Sequence, residues 1–191
     1  SLLPLRKSWP TFKLAMACPR TRRNCFWASL LLSGNWFSFI WAVNTGNVLQ
    51  SSLGYFLCPL ANIALGGLVE KERLGKIQWI SVALAASGVG ILILMAGKVP
   101  VAAIVIALTW SGYGLIKKRS SLGPIVGLGV ETTLLSPIAA GILIWMAARG
   151  SLSTTGVDGL TLTYLATAGY LTAVPLLLFA YAMPKVPLST V

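Results

Sequence analysis

The sequence predicts an all-α protein, a polytopic bundle of transmembrane helices. Of its 191 residues, 56% are apolar and only 10% are charged, whereas about a quarter of the residues in a soluble domain carry charge. Apolar runs of about 18 or more residues recur along the chain, and a helix needs that length to cross a bilayer. These runs are continuously apolar rather than alternating, which disfavours a transmembrane β-barrel.

Six predicted spans follow a basic opening segment. Residues 1–24 are predicted as a cytoplasmic loop after a truncated span, with a short interfacial helix at 9–17. The spans are predicted at residues 25–43, 48–69, 79–96, 101–116, 125–148 and 160–182, and a truncated span begins at 188–191. We group residues 25–96 as three spans of a first repeat, and residues 97–191 as three spans of a second repeat with the start of a fourth.

The distribution of basic residues predicts the topology. The net charge is +11, and the basic residues lie between the apolar runs. If residues 6–24 are cytoplasmic, 13 of the 15 basic residues fall on the cytoplasmic side, and only Lys98 and Arg149 fall on the other. This asymmetry follows the positive-inside rule, so we expect a lipid bilayer and no nucleic acid as partner. The predicted cytoplasmic loops are 6–24, 70–78, 117–124 and 183–187.

Catalytic and metal-binding residues are scarce. The chain has no histidine, and Cys18, Cys25 and Cys58 lack metal-ligand spacing, so we expect neither a metal nor a cofactor. With one aspartate, Asp158, and no paired acids inside a span, a membrane-embedded enzyme is disfavoured. A transporter of small solutes is the main interpretation. The alternative is a non-transporting or partner-dependent membrane component, such as a half-transporter or a scaffold; the partner would be a second copy or a different subunit.

The first span carries Asn35 and Trp36 at its middle. An amide in hydrocarbon needs a hydrogen-bonding partner, and tryptophan normally prefers the membrane interface. These two residues indicate either the wall of a substrate cavity or an interhelical hydrogen bond with packing, and the sequence leaves both open.

The second span carries a stripe of polar and helix-breaking residues. Ser52, Tyr55, Pro59 and Asn62 follow a 3-4-3 spacing, which places them on one helix face. Pro59 also leaves the carbonyl of Tyr55 without its usual helical partner. We favour a cavity lining over a set of interhelical hydrogen bonds.

Glu131 is the only acidic residue inside a predicted span. A carboxylate at that position is a candidate for proton coupling or for binding a cationic substrate. The alternative is pairing with the basic cluster at 117–119 or with the helix N-terminus. Pro137 and Pro175 lie at mid-depth of the fifth and sixth spans and are predicted helix kinks.

A weak internal repeat occurs at an offset of 138 residues. Ala42 and residues 51–53 align with Ala180 and residues 189–191. An offset that holds about five spans would place the two copies in opposite orientations, as in the inverted repeats of many secondary transporters.

Several motifs in order resemble the RarD-type members of the EamA family of drug/metabolite transporters. They are NWFSFIWAVN (35–44), SLGYFLCPLANIALG (52–66), Glu72, Arg73, Gln78 and Trp79, YGLIKKR (113–119) and VETTLLSP (130–137). The resemblance implies ten transmembrane helices in two inverted five-helix repeats, of which this chain resembles helices three to eight. It further implies a permease of the bacterial inner (plasma) membrane, of a type often linked to chloramphenicol.

Overall fold

The computed structural model describes residues 3–71, 75–96, 100–150 and 158–187. These residues form seven α-helices and one 3₁₀ turn. The elements are α1 (Leu3–Ala17), α2 (Pro19–Asn44), α3 (Val48–Val69), α4 (Lys76–Ala96), α5 (Val101–Lys118), α6 (Pro124–Ala148), α7 (Gly159–Ala182) and the turn Met183–Lys185. Glu72, Arg73, Lys98 and the predicted start of a span at 188–191 lie outside the described residues.

Six of the described helices, α2 to α7, are long and apolar enough to cross a membrane by length and composition. Each coincides with a predicted span, so the all-α polytopic fold class is confirmed. The helix α3 has the predicted ends, Val48 and Val69, while α5 runs two residues further than predicted, to Lys118. Helices extend past their apolar stretch because continuing the backbone hydrogen-bond ladder needs no apolar side chains.

Within the predicted loop at 1–24, residues 3–17 and 19–24 are helical. Helix α1 covers far more than the predicted interfacial stretch, and α2 already begins at Pro19. Proline suits the first position of a helix, because its missing N–H would have no helical partner there. The polar composition of this segment excluded it from hydrocarbon, but Lys and Arg are good helix formers and do not force a loop.

The turn between α2 and α3 comprises residues 45–47, inside the gap between the predicted spans that end at residue 43 and begin at residue 48. Gly46 has a φ of +75°, which glycine adopts without steric cost. The backbone N–H of Thr45 donates to the carbonyl of Trp41 (3.0 Å), and that of Asn47 donates to the carbonyl of Ala42 (2.7 Å). These bonds satisfy carbonyls at the end of α2 that have no helical donor.

Side chains cap two other helix ends. At the start of α7, Asp158 Oδ1 accepts hydrogen bonds from the Thr161 backbone N–H (2.8 Å) and hydroxyl (2.6 Å). These bonds hold the pKa of Asp158 below its usual value. At the end of α5, Arg119 pairs with Glu70 (Nε to Oε1, 2.6 Å) and donates to the carbonyl of Val69 (3.1 Å). Arg119 therefore joins the ends of α5 and α3.

The chain divides into two compact units. The first comprises residues 1–26 and 121–182, in which α6 packs against both α1 and α7. Its described core is small and apolar, with partly buried side chains from α1, from α6 and from the segment before α6 around it. The core residues and their partly buried neighbours are Ala15, Cys25, Val126, Val130, Phe12, Met16, Leu122 and Leu134.

The second unit comprises residues 27–120 and 183–191, and its most extensive described helix pair is α3 with α5. A Cβ atom added at Gly54 would lie 3.0 Å from the Cβ and Cγ2 atoms of Ile106 and 3.3 Å from the Ala103 carbonyl oxygen. Glycine therefore allows α3 and α5 to approach closely, as small residues do in membrane helix pairs.

Candidate solute-binding site

Asn35 lies within the second unit, where α2 meets α5. Its side chain is only 6% exposed, and its Nδ2 atom donates to the carbonyl of Ile106 (2.8 Å) and to the hydroxyl of Thr109 (3.2 Å). The interhelical hydrogen bond that the sequence left as one interpretation of Asn35 is therefore present. It fixes the amide against the backbone of α5 at a point where hydrocarbon offers no other partner.

A second polar contact joins α3 and α5. The hydroxyl of Ser111 donates to the carbonyl of Cys58 (3.4 Å), and the thiol of Cys58 donates to the carbonyl of Gly54 (3.3 Å). Ser111 and Cys58 are buried. These contacts lie on the same interface as the close approach at Gly54, so α5 holds both α2 and α3 through buried polar groups.

Aromatic side chains bridge α2 and α3. The rings of Trp36 and Phe39 meet edge to face with 6.5 Å between their centroids, and Phe39 meets Tyr55 in the same way at 6.0 Å. Trp36 is 42% exposed and Tyr55 is 56% exposed. The structure therefore brings two of the predicted cavity residues near one another, through an aromatic residue that the sequence reasoning did not select.

The predicted face of α3 is divided between exposed and buried positions. Ser52, Tyr55 and Pro59 are exposed, whereas Asn62 is buried, with only 3% of its surface accessible. The residues that α3 buries alongside Asn62 are Ser51, Leu53, Gly54, Cys58 and Gly66. The 3-4-3 spacing groups residues by direction, but a stripe this wide extends past the edge of the helix contact.

The remaining predicted residues lie in the first unit. Glu131 is buried within α6, with 3% of its surface accessible. Pro137 and Pro175 are exposed, and α6 and α7 continue through them as helices. Across the part of the chain that the structure describes, no three His, Cys, Asp or Glu side chains gather in a way that could hold a metal ion.

A cavity of about 390 Å³ opens where α2, α3 and α5 meet beside the 45–47 turn. We call it the turn-side cavity. Its lining residues are Ser38, Trp41, Asn47, Gln50, Val101, Ala102 and Val105. Sequence reasoning missed it, although Gln50 was visible as a polar residue at the start of a predicted span. Its partner on α5 could not be read from the sequence.

A larger cavity of about 500 Å³ lies between α3 and α4, and apolar side chains dominate its lining. The lining residues are Leu60, Ile63, Ala64, Gly67, Leu68, Trp79 and Val82. Because none of these side chains except the Trp79 indole carries a hydrogen-bonding group, this cavity offers little to orient a polar solute.

Comparison with known proteins identifies relatives along nearly the whole chain. Protein RarD of Streptomyces exfoliatus is 39% identical over 191 residues, which cover 100% of this chain and 60% of that protein. The chain is a homologue of the RarD proteins. The uncharacterized transporter YojE of Bacillus subtilis is 44% identical over 167 residues (87% of this chain, 55% of YojE). Protein RarD of Escherichia coli K12 is 36% identical over 190 residues (99% of this chain, 64% of that protein).

These relatives confirm the resemblance drawn from the motifs. With its six apolar helices, the chain is a multi-pass protein of the bacterial inner-membrane type. It spans about 55 to 64% of the length of the three curated relatives named above. No protein-family model and no solved structure matches it.

Proposed function

We propose that this chain is part of a secondary transporter that exports small solutes by alternating access. The observation that carries the proposal is a set of buried polar side chains on membrane-crossing helices, in a chain homologous to proteins named as transporters. Polar groups inside the membrane are costly, and they tend to mark substrate and ion pathways.

The proposed substrate cavity is lined by polar and aromatic residues of α2 and α3. Asn35 and Asn62 supply amides, and the Trp36 and Tyr55 rings supply flat surfaces joined through Phe39. Ser52 and Pro59 lie on the exposed part of the same α3 stripe. Pro59 lacks the N–H that the Tyr55 carbonyl would otherwise accept, so that carbonyl is available to a ligand.

The tight packing of α3 on α5 supports a mechanism in which these two helices move as one body. Buried hydrogen bonds and a glycine contact hold them together, and the Arg119–Glu70 pair joins their ends. In alternating access, such rigid groups of helices rock around a fixed site. We therefore expect the helices that move relative to each other during transport to meet at other contacts, not between α3 and α5.

Glu131 is the proposed proton-coupling residue. It is buried on an apolar helix, and a carboxylate that gains and loses a proton there can link solute movement to a proton gradient. In inverted membrane vesicles that contain the full-length protein, we expect a pH gradient to drive solute uptake. Glu131→Gln should abolish that uptake and leave the protein folded.

The matched control is Glu70→Gln, which makes the same change at the end of α3. The amide oxygen of glutamine can still accept from Arg119 Nε, so the link between α3 and α5 remains and the uptake should be kept. Chloramphenicol is the first solute to assay, because the family resemblance links it to the type. Gradient-driven uptake that survives Glu131→Gln would remove the coupling role. Transport of no solute by the full-length protein in either direction would remove the transporter proposal itself.

A further inference from the structure

The turn-side cavity has a pre-organised polar wall. Gln50 Oε1 accepts the backbone N–H of Ala102 (3.3 Å), and Gln50 Nε2 donates to Asn47 Oδ1 (3.2 Å). Asn47 Nδ2 in turn donates to the Thr45 hydroxyl (3.0 Å). This chain of bonds runs from the 45–47 turn to the first turn of α5 and fixes the orientation of both amides.

The wall keeps hydrogen-bonding capacity after these contacts. A glutamine amide has two N–H groups, and the bond to Asn47 uses one of them. Ser38 and Trp41 line the same cavity, and their side chains carry a hydroxyl and an indole N–H. The first turn of α5 also begins here, and the start of a helix presents backbone N–H groups, of which that of Ala102 already donates to Gln50. The wall therefore offers hydrogen-bond donors to a ligand that accepts hydrogen bonds.

The rest of the lining is apolar and includes one flat ring. Val101, Ala102 and Val105 supply aliphatic surface, and the half-exposed Trp41 supplies an aromatic face. An apolar cavity with a few placed polar groups is the usual composition of a small-molecule site, and about 390 Å³ is at the small end of the range for such sites.

The lining residues also exclude charged ligands. All seven are uncharged, so an anion or a cation would lose its hydration without gaining a counter-ion, which is costly. A lipid acyl chain would instead leave the amides and the hydroxyl facing hydrocarbon, which is also unfavourable. A neutral ligand that carries both a planar ring and a hydrogen-bonding group avoids both costs.

We infer that the turn-side cavity is a binding site for small neutral solutes that join a planar ring to a carbonyl or amide group. The ring would pack on Trp41, and the carbonyl oxygen would accept from Gln50 Nε2 and from the start of α5. This site is separate from the cavity proposed around Asn35 and Asn62. Its binding can be measured without transport, so its failure and the failure of the transport proposal are distinguishable.

The test is ligand-observed NMR on the full-length protein in lipid nanodiscs, with benzamide as the probe. Benzoate and benzylammonium carry similar rings with a negative or a positive charge. We expect benzamide to bind saturably with a dissociation constant of about 1 mM, as ligand efficiency allows for so small a molecule. Both charged probes should bind at least about tenfold more weakly because the cavity offers no counter-ion.

Gln50→Glu keeps the oxygen that accepts from Ala102 but replaces the donor amide, and it should weaken benzamide binding at least about tenfold. The matched control is Gln78→Glu. Gln78 Oε1 also accepts a backbone N–H, from Gly75 (2.8 Å), but lies outside the cavity, so benzamide affinity should not change. Trp41→Leu provides a second variant on a half-exposed position and should weaken binding several-fold.

Four results would overturn the inference: no saturable benzamide binding, equal affinity in Gln50→Glu and the parent, equally tight binding of a charged probe, or the same signal from empty nanodiscs. A phospholipid that is retained by the parent in native mass spectrometry and lost from Gln50→Glu would assign the cavity to a headgroup instead. Thermal unfolding of each variant shows whether binding is lost from a folded protein or because the protein no longer folds. If Gln50→Glu does not fold, an unchanged affinity in folded Trp41→Leu also overturns the inference.

Discussion

Replacing Gly54 with alanine tests whether α3 and α5 are held as closely as the structure shows. The added Cβ would lie 3.0 Å from two carbon atoms of Ile106 and 3.3 Å from the Ala103 carbonyl oxygen. Carbon atoms in favourable contact are about 3.5 to 4.0 Å apart. The neighbouring atoms belong to a β-branched side chain and to backbone, which cannot rotate away, so the helices must separate by roughly 0.5 to 1 Å.

The expected cost follows from two opposing effects. Overpacking a well-packed contact by one methyl group costs about 1 to 3 kcal/mol. Alanine is a better helix former than glycine and returns up to about 1 kcal/mol. Subtracting about 1 kcal/mol leaves a net loss of about 0 to 2 kcal/mol, which changes the ratio of folded to unfolded protein by up to about 30-fold. The separation would also lengthen the Ser111–Cys58 bond, which is already 3.4 Å.

The assay is the free energy of unfolding in mixed micelles, measured for the full-length protein with the two-state behaviour checked by two probes. Gly88→Ala on α4 is the matched control, because nothing lies within 4 Å of a Cβ added there. We expect Gly54→Ala to lower the unfolding free energy and Gly88→Ala to leave it unchanged or raise it slightly. Equal stability of the two variants would refute the close α3–α5 approach.

Three further predictions concern other groups. Asn35→Leu should lower the unfolding free energy by about 0.5 to 2 kcal/mol, the range of hydrogen bonds between membrane helices; a double-mutant cycle with Thr109→Val that gave full additivity would contradict the contact. The exposed Cys18 thiol, whose pKa is lowered mainly by hydrogen bonding from Thr21 and further by Arg20, should alkylate faster near neutral pH than the buried thiols. Thr21→Ala should slow that alkylation. An unchanged rate would show that the hydrogen bond from Thr21 does not lower the pKa of Cys18. The folded-state pKa of Asp158 is lowered, so its stabilisation of α7 is complete above the ordinary pKa and is lost as pH falls through the lowered value. Asp158→Ala should therefore destabilise the protein at neutral pH but not in strong acid, as thermal unfolding at both pH values would show.

The positions of the spans followed from the sequence because burying backbone in hydrocarbon demands long, uncharged helices. The 45–47 turn followed for the same reason, since the four polar or flexible residues 44–47 interrupt two apolar runs. Most of the opening segment is helical, because polarity shows only that a segment avoids hydrocarbon and says nothing against a helix. Its place on the cytoplasmic side stays a prediction. The resemblance to the RarD proteins could also be predicted, because the motifs that carry it occur in order along the chain.

The candidate sites could be predicted from the sequence only in part. The sequence singled out Asn35 as a buried polar residue that needs a partner, but not that Ile106 and Thr109 on α5 would supply it. Nothing in the sequence links Gln50 to Ala102, because the two residues are 52 positions apart and meet only through helix packing. The turn-side cavity therefore could not be predicted, although each of its polar residues was visible.

The sequence by itself determined the fold class, the helices and the similarity to the RarD proteins, because these depend on local hydrophobicity and on motifs read in order. Only the tertiary structure decided which face of each helix is buried. Spacing shows that Ser52, Tyr55 and Asn62 point in similar directions, but rotating the helix about its axis changes what they meet. The close approach at Gly54 sets that rotation for α3, and it leaves Asn62 buried and Ser52 and Tyr55 exposed.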